Sequence, residues 1–297
     1  MTRPTLPPPV KVTELHLLAV INTRLKRLGP AVKTVQLCDM GCGEGGLLAY
    51  LASCLPALNP GLEFEFHGME VADSGVQAAG FFARALEKLS AAHPEVDWEN
   101  RLHLVTSRDP WPFADGSLHV LLSNQVLEHV ADHRHFLAET YRVLADGGLS
   151  PHVFPLKHYF WETHLHMPLV HWIRQHHLIR RYIELCSRLG MGTFRAHRRA
   201  YSMTLDHYAE EHADYMSFLT NYLSKRELLD LCKAARLRAD FSYTPHVYWA
   251  RLRMIWRGRP LYFYREPRPI WDGILFFFLK RVSSITLFLE KRNIYAR

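Results

Sequence analysis

The chain has 297 residues, of which 48% are hydrophobic and 22% charged, enough for one large domain with a substantial core and well away from the composition of disordered chains. Its five cysteines, Cys38, Cys42, Cys54, Cys186 and Cys232, have no paired spacing, which argues against a disulfide framework and for a reducing compartment. A net charge of +7 favours anionic partners but does not choose among phosphate-bearing substrates, nucleic acid and an acidic membrane surface. The proline-rich stretch from Met1 to Val10 lacks the apolar core of a secretory signal and reads as a cytoplasmic tail.

From Lys33 to Pro155 short apolar runs alternate with helical patterns, which predicts βαβ units and a mainly parallel sheet. Val35 to Met40 reads as the first strand. The turn Gly41-Cys42-Gly43-Glu44-Gly45-Gly46 follows, and then Leu47, Leu48, Leu51 and Ala52 recur at helical spacing. Glu63 to Glu70 alternates as a second strand, Ser74 to Ala91 reads as its helix and Arg101 to Thr106 as a third strand. After the turn Trp111 to Gly116, Leu118 to Ser123 is nearly all apolar, as expected of a strand covered on both faces. His133 to Leu144 reads as a helix stopped by Gly147-Gly148, with Leu149 to Phe154 as strand five. The histidine-rich stretch Phe160 to Tyr222 changes to helical periodicity and is taken as an inserted cap. Ser224 with Glu227 makes a capping box for a helix from Lys225 to Arg236, and Arg238 to Tyr243 reads as a further strand.

A glycine-rich turn between strand and helix lets the backbone approach a ligand closely, though alone it is a weak signal. Asp39, two positions before the first glycine, suits a cationic ligand, and the Gly-Lys-Ser/Thr ending of a phosphate-cradling loop is absent. Glu70, at the end of the second strand, is placed to accept both hydroxyls of a ribose.

Val35 to Leu51 resembles the first motif of class I S-adenosylmethionine-dependent methyltransferases, Leu-Asp-x-Gly-Cys-Gly-x-Gly. Phe113 to Val130 resembles the later stretch Phe-x-Asp-x-Ser-Phe-Asp … Leu-Glu-His-Val, and Arg142 to Gly148 is similar to Arg-Val-Leu-x-Pro-Gly-Gly. The three motifs stand in the order of that superfamily, within its type-11 group. The resemblance implies an α/β fold, a doubly wound, mainly parallel seven-stranded sheet carrying a helical cap, and S-adenosyl-L-methionine as cofactor. It implies that Asp39, Gly41, Cys42 and Gly43 line the methionine part, Glu70 and Val71 hold the ribose, and Ser107 and Arg108 lie beside adenine. Ser123, Asn124 and Gln125 would face the transferred methyl, with Glu128 and His129 behind them. The family pattern has acids where Ser107 and His119 stand here.

Methyl transfer from a sulfonium is an in-line displacement helped mainly by positioning and water exclusion, and a base is needed for hydroxyl or carbon acceptors. The cap region holds His152, His158, Glu162, His164, His166, His171, His176 and His177. Three readings stand: polar residues satisfied within the cap, a base for an oxygen acceptor, or a metal site from Glu162, His164 and His166. The loose His-x-His spacing gives the last the least support, and no metal is expected. Phe154 to Trp172 also loosely resembles a segment of methyltransferases encoded with bacterial surface-polysaccharide genes, which implies a glycan or glycolipid hydroxyl with Glu162 or His164 as base. An isoprenoid-quinone or other small-molecule acceptor, and a non-catalytic binding protein, are the alternatives. Ser123-Asn124-Gln125-Val126 lacks the Asn/Asp-Pro-Pro-aromatic signature of nucleic-acid methyltransferases, which argues against nucleic acid as partner.

The organisation expected is a tail and helix over 1–32, a cofactor-binding core over 33–155, a helical cap over 156–223, the remainder of the core sheet over 224–269, and an amphipathic helix over 270–297. That last segment is too interrupted by charge to span a bilayer. With basic flanks it fits either docking on the sheet or another subunit, or peripheral contact with a membrane. The sequence leaves the oligomeric state open.

Overall fold

The computed structural model describes residues 6–73, 79–256 and 258–291. Its seven-stranded sheet has the order β3-β2-β1-β4-β5-β9-β8, where the strands are β1 (Thr34–Met40), β2 (Glu63–Val71), β3 (Leu102–Val105), β4 (Leu118–Asn124), β5 (Leu144–Pro155), β8 (Leu237–Asp240) and β9 (Ser284–Lys291). β1 to β5 are mutually parallel, and β9 runs antiparallel to both β5 and β8. The chain order reverses at β1, whose neighbours are β2 and β4, so the loops after these strands open at a topological switch point. This is the class I methyltransferase fold.

Helices cover both faces. Against one lie α1 (Val12–Arg24), α2 (Gly46–Leu58) and α3 (Phe81–Ala92), which share a core with Val35, Leu37, Phe66, Val120 and Leu122. Against the other lie α4 (His133–Val143) and α8 (Lys225–Ala234), packed on Cys38, Met40, Leu121 and Leu287. In β4, Leu118, Val120, Leu121 and Leu122 are all wholly buried, as a two-faced strand requires. Ser224 and Glu227 form the expected reciprocal cap at the start of α8.

Between β5 and α8 the chain forms a small hairpin, β6 (Trp161–Glu162) and β7 (Met167–Pro168), and three helices, α5 (His176–Arg188), α6 (Phe194–Tyr201) and α7 (Leu205–Phe218). They enclose a core of their own, built on Leu165, Met167, Ile179, Ile183, Tyr208 and Met216.

Three expectations change. The helix expected from Ser74 begins at Phe81, and residues 74–78 lie outside the described residues. Gly147-Gly148 does not stop a helix. α4 ends as Leu144 turns extended, and the glycines lie within β5 where its register against β4 slips, with Leu118 opposite Leu144 but Val120 opposite Leu149. Gly147 takes φ +76°, which only glycine enters at low cost, so the bulge uses the glycine that reads as a helix stop.

The largest change is at the end of the chain. The segment 270–297 is not one amphipathic helix, because only α10 (Pro269–Leu279) is helical before β9 enters the sheet between β5 and β8. The apolar residues of β9 match a strand with two covered faces, and Ile285, Thr286, Leu287, Phe288 and Leu289 are wholly buried. A continuous apolar run of this length does not distinguish a buried strand from a helix by periodicity. β9 also anchors α1, from the other end of the chain: the buried Arg24 guanidinium lies 4.7 Å above the Phe288 ring, donates to the Tyr243 hydroxyl at 2.6 Å and pairs with Glu290 at 3.6 Å.

Phe288→Ala should therefore lower the unfolding free energy by about 3–5 kcal/mol, as for other buried aromatic truncations. A surface helix at this position would instead lose less than about 0.5 kcal/mol. Urea denaturation of the two proteins distinguishes these outcomes.

Candidate active site

The parallel pairing of β1 and β2 sets Asp39 opposite Gly68 and Met40 opposite Met69. Alternation along the strands then turns the Asp39 and Glu70 side chains to the same face, beneath the start of α1. Both are buried. Burial, the nearby Glu70 charge and that of Glu14 on α1 raise the Asp39 carboxyl well above its ordinary value. Glu70 is raised by burial too, although it accepts from the Gly43 amide at 2.9 Å and the Val71 amide at 3.2 Å. Two carboxyls that repel each other are thus held where they favour a cation.

The loop between them brings backbone close to whatever they hold. Gly41 has φ +70°, and a Cβ there would lie 2.4 Å from Cγ2 of Val126, in the loop after β4. Its amide donates to the Met69 carbonyl at 2.7 Å, tying the turn to β2. Oδ1 of Asp39 and Oδ1 of Asn124 are both buried without a hydrogen-bond partner among the described residues. Unmade acceptors cost free energy in an isolated protein and fit a ligand that brings donors and positive charge. These residues therefore fit a sulfonium nucleoside. Asp39 and Asn124 would meet its aminoacyl end, and Glu70 its ribose. A cavity of about 620 Å³, mouth included, runs from Gly41 and Glu70 past Val71 and Ser107 to His129 and Phe136.

Other predicted cofactor residues sit differently. The Cys42 thiol points into the core beside Gly68 and Leu48, so only its backbone belongs to the loop. Ser107 donates its amide and hydroxyl to Asp73 at 2.7 and 2.9 Å, so a carboxylate stands beside it though the sequence has serine where the family has an acid. Arg108 is exposed there, close enough to help lower Asp73, whose carboxyl is held down first by the Ser107 amide. At the other departure, His119 accepts the Gln36 amide at 3.1 Å, a bond within the sheet.

The tip of β4 corrects the expectation most. Ser123 is fully buried on the face opposite Asp39, bonded to Nδ1 of His152 at 2.8 Å. Gln125 takes φ +58° and turns its amide away to Oγ of Ser284 at 2.9 Å. Strand alternation leaves Asn124 alone of the three on the cofactor face, where its Nδ2 donates to Thr13 of α1 at 3.2 Å.

Beyond Val126 the chain and the cap converge. Ligand-type atoms of Glu128, His129 and His164 lie within 4.8 Å of one another. Glu128 is buried, its two oxygens receive no hydrogen bond from another residue, and burial pushes its carboxyl up to about 8. Glu162, from the cap hairpin, receives Nδ1 of His164 at 2.7 Å, the Leu165 amide at 2.6 Å and the Tyr159 and Tyr222 hydroxyls at 3.0 and 3.2 Å. Burial alone would raise it, but the His164 and backbone donors outweigh burial and hold it down to about 2. Burial lowers His164 and the Glu162 partner more than offsets that, leaving it raised. The Tyr215 ring closes the cluster against both histidines.

All four predicted catalytic residues therefore meet in space. Three of the other histidines have local partners: His152 between Ser123 and Ser150, His171 stacked on Tyr159, and His176 paired with Asp214. His166 is exposed, so the metal set of Glu162, His164 and His166 weighed from spacing does not assemble. Sequence reasoning missed Thr13, Glu14, Asp73, Tyr159, Tyr215 and Tyr222. No spacing signal could reveal them, since Tyr159 and Tyr222, for example, stand 63 positions apart.

Because Asp39 and Glu70 are raised in the folded protein, their stabilising contribution is present below the ordinary carboxylate range and lost as pH climbs through the folded values. Asp39→Asn should accordingly raise the melting temperature of the ligand-free protein at neutral pH and shrink that gain towards pH 4. It should also weaken S-adenosylmethionine binding by roughly tenfold or more, about 1.4 kcal/mol. Calorimetric titration against thermal melts checks both; equal affinity in the two proteins would remove Asp39 from the site.

Residues 38–150 match the methyltransferase domain family. Similar solved structures include geranyl diphosphate C-methyltransferase from Streptomyces coelicolor A3(2), at 14% identity over 94% of this chain and 78% of that one, with a TM-score of 0.45. Another is phosphoethanolamine N-methyltransferase 2 from Haemonchus contortus, at 15% identity over 95% of this chain and 57% of that one, with a TM-score of 0.41. With the sheet order, the glycine loop and the two strand-tip carboxyls, the match identifies this chain as an enzyme carrying a class I S-adenosylmethionine-dependent methyltransferase domain, with S-adenosylmethionine as its cofactor.

Proposed function

We propose that the enzyme transfers a methyl group to an oxygen of a small acceptor, a glycan or glycolipid hydroxyl. The observation that carries this reading is the meeting of Glu128, His129, His164 and Glu162 in one cluster, whose member His129 lines the cavity beside Gly41 and Glu70. An amine or thiolate can attack a sulfonium unaided, whereas a hydroxyl needs its proton removed as the new bond forms. A buried carboxylate with unused oxygens and a carboxylate-backed imidazole are suited to that task.

Bound S-adenosylmethionine supplies an electrophilic methyl and a neutral thioether as leaving group. The chain supplies alignment and a dry setting. Val71 and His129 line both the cofactor cavity and a second cleft, whose far wall is Phe218 to Asn221 at the end of α7. An acceptor entering by this cleft reaches the cluster with the cap on one side and the cofactor on the other. The Asn221 amide donates to the Glu128 carbonyl at 2.6 Å, so the cap is bonded directly to the loop that carries the cluster. Wild-type protein with S-adenosylmethionine should methylate hydroxyls in a panel of sugar nucleotides, glycolipids and quinols, and His164→Ala should cut kcat by roughly 10²–10⁴-fold. Turnover unchanged in His164→Ala, or a panel methylated only at nitrogen or sulfur, would overturn the oxygen reading.

A peripheral membrane site is a second proposal, supported by the surface of α9 (Thr244–Ile255) and α10. Trp249, Ile255, Trp256, Ile270, Trp271, Phe277 and Phe278 are exposed there, among exposed Arg251, Arg259, Arg265, Arg268 and Arg281. Aromatic and aliphatic side chains ringed by arginine suit an anionic bilayer surface. No described helix is long and apolar enough to cross a membrane. The protein should cosediment with phosphatidylserine vesicles, and Trp271→Glu with Phe278→Glu should abolish this while S-adenosylhomocysteine still stabilises the protein by about 2.7 kcal/mol at a hundredfold excess over its Kd. Equal cosedimentation of the double variant would rule the surface out.

A further inference from the structure

We propose that Glu128, His129 and His164 form a binding site for a divalent first-row transition metal ion. Candidate ligand atoms of the three residues lie within 4.8 Å of one another. Ligands at about 2.0–2.2 Å from one ion stand roughly 3–4 Å apart, so side-chain adjustment closes the set.

Two independent features favour an ion over a plain hydrogen-bonded cluster. First, the histidine tautomers are fixed from outside. Nδ1 of His129 faces the Leu219 carbonyl at 2.6 Å, and Nδ1 of His164 faces the Glu162 carboxylate at 2.7 Å. A carbonyl or carboxylate oxygen can only accept, so both Nδ1 atoms carry the proton. In the neutral rings Nε2 then offers a lone pair, the state a metal needs, and backing by carboxylate or carbonyl is characteristic of metal-bound histidines. Second, the Glu128 carboxylate is 1% exposed and neither oxygen receives a hydrogen bond from another residue. Removing a carboxylate from water without a partner is costly, and a cation supplies the partner.

Two imidazoles and one carboxylate suit zinc or iron better than magnesium or calcium, and leave a coordination position open. This extends the oxygen-acceptor reading of the same site and rests on it for the ion's use. With Glu128 and His164 then serving as ligands instead of as the base, an ion there would carry the acceptor hydroxyl and ease loss of its proton to water. The oxygen lone pair forms the O–CH₃ bond, and the C–S pair returns to sulfur.

The test takes the full chain, strips it with a chelator and titrates it with Co²⁺ as a spectroscopic probe and with Zn²⁺. We expect one ion per chain, visible Co²⁺ absorption that is lost in Glu128→Gln and in His164→Gln, and Zn²⁺ affinity weakened about 10–100-fold in Glu162→Gln. An unchanged thermal shift with S-adenosylhomocysteine shows that each variant is folded, and either ligand variant suffices if the other does not fold. No Co²⁺ absorption in folded wild-type protein, or the same spectrum in His164→Gln, overturns the site. Hydroxyl methylation by protein that binds no metal would remove the ion and leave the acceptor reading standing. Metal binding with no hydroxyl methylated would keep the ion and remove that reading.

Discussion

The structure depends on keeping two carboxyls of like charge, Asp39 and Glu70, buried on one face at the tips of adjacent parallel strands. Parallel pairing of β1 with β2 fixes their separation, and Gly41 lets the turn pass close under Val126, where a Cβ would collide. α1 then closes over the tips, adding Glu14 to the same electrostatic neighbourhood and Thr13 to Asn124. Such an arrangement weakens the ligand-free protein, and a ligand that brings positive charge and donors would relieve it. The stability given up at the tips is recovered in the three buried cores.

The loop after β4 links the cofactor half to the cap. Val126 packs on Gly41, His129 lines the cavity, and Glu128 lies beneath a cap whose own core holds Glu162 and His164 in place. Glu162 illustrates how a buried charge is kept ionised. Its four donors are a backbone amide, a histidine and two tyrosine hydroxyls, and the His164 and backbone donors outweigh the cost of burial. Glu128, in the loop after β4, has no such set and moves the opposite way. Neighbouring carboxyls are thus pushed in opposite directions by their surroundings, burial prevailing at Glu128 and hydrogen-bond donors at Glu162.

Much of this was legible in the residues. Short apolar or alternating runs between helical patterns from Lys33 to Pro155 mark the five parallel strands, most clearly β4, because a strand covered on both faces is nearly all apolar. Asp39 and Glu70 stood out as candidates because a carboxyl beside a glycine turn at a strand end has little packing value, and the structure brings both to one face. Ser123 and Gln125 could not be assigned so safely. A resemblance carries a motif as a block, whereas strand alternation and the positive φ at Gln125 send neighbouring side chains in different directions.

The sequence by itself determined the fold class, the cofactor loop and the identity of four residues that later meet, Glu128, His129, Glu162 and His164. Only the tertiary structure decided that these four converge, that His166 stays outside, and that the run from Ser284 to Lys291 is the sixth strand in the sheet order rather than part of a helix. Local patterns record which face of an element is apolar, since that follows from the period of the backbone. Which distant element covers that face is set by packing between residues far apart in the chain, and no spacing records it.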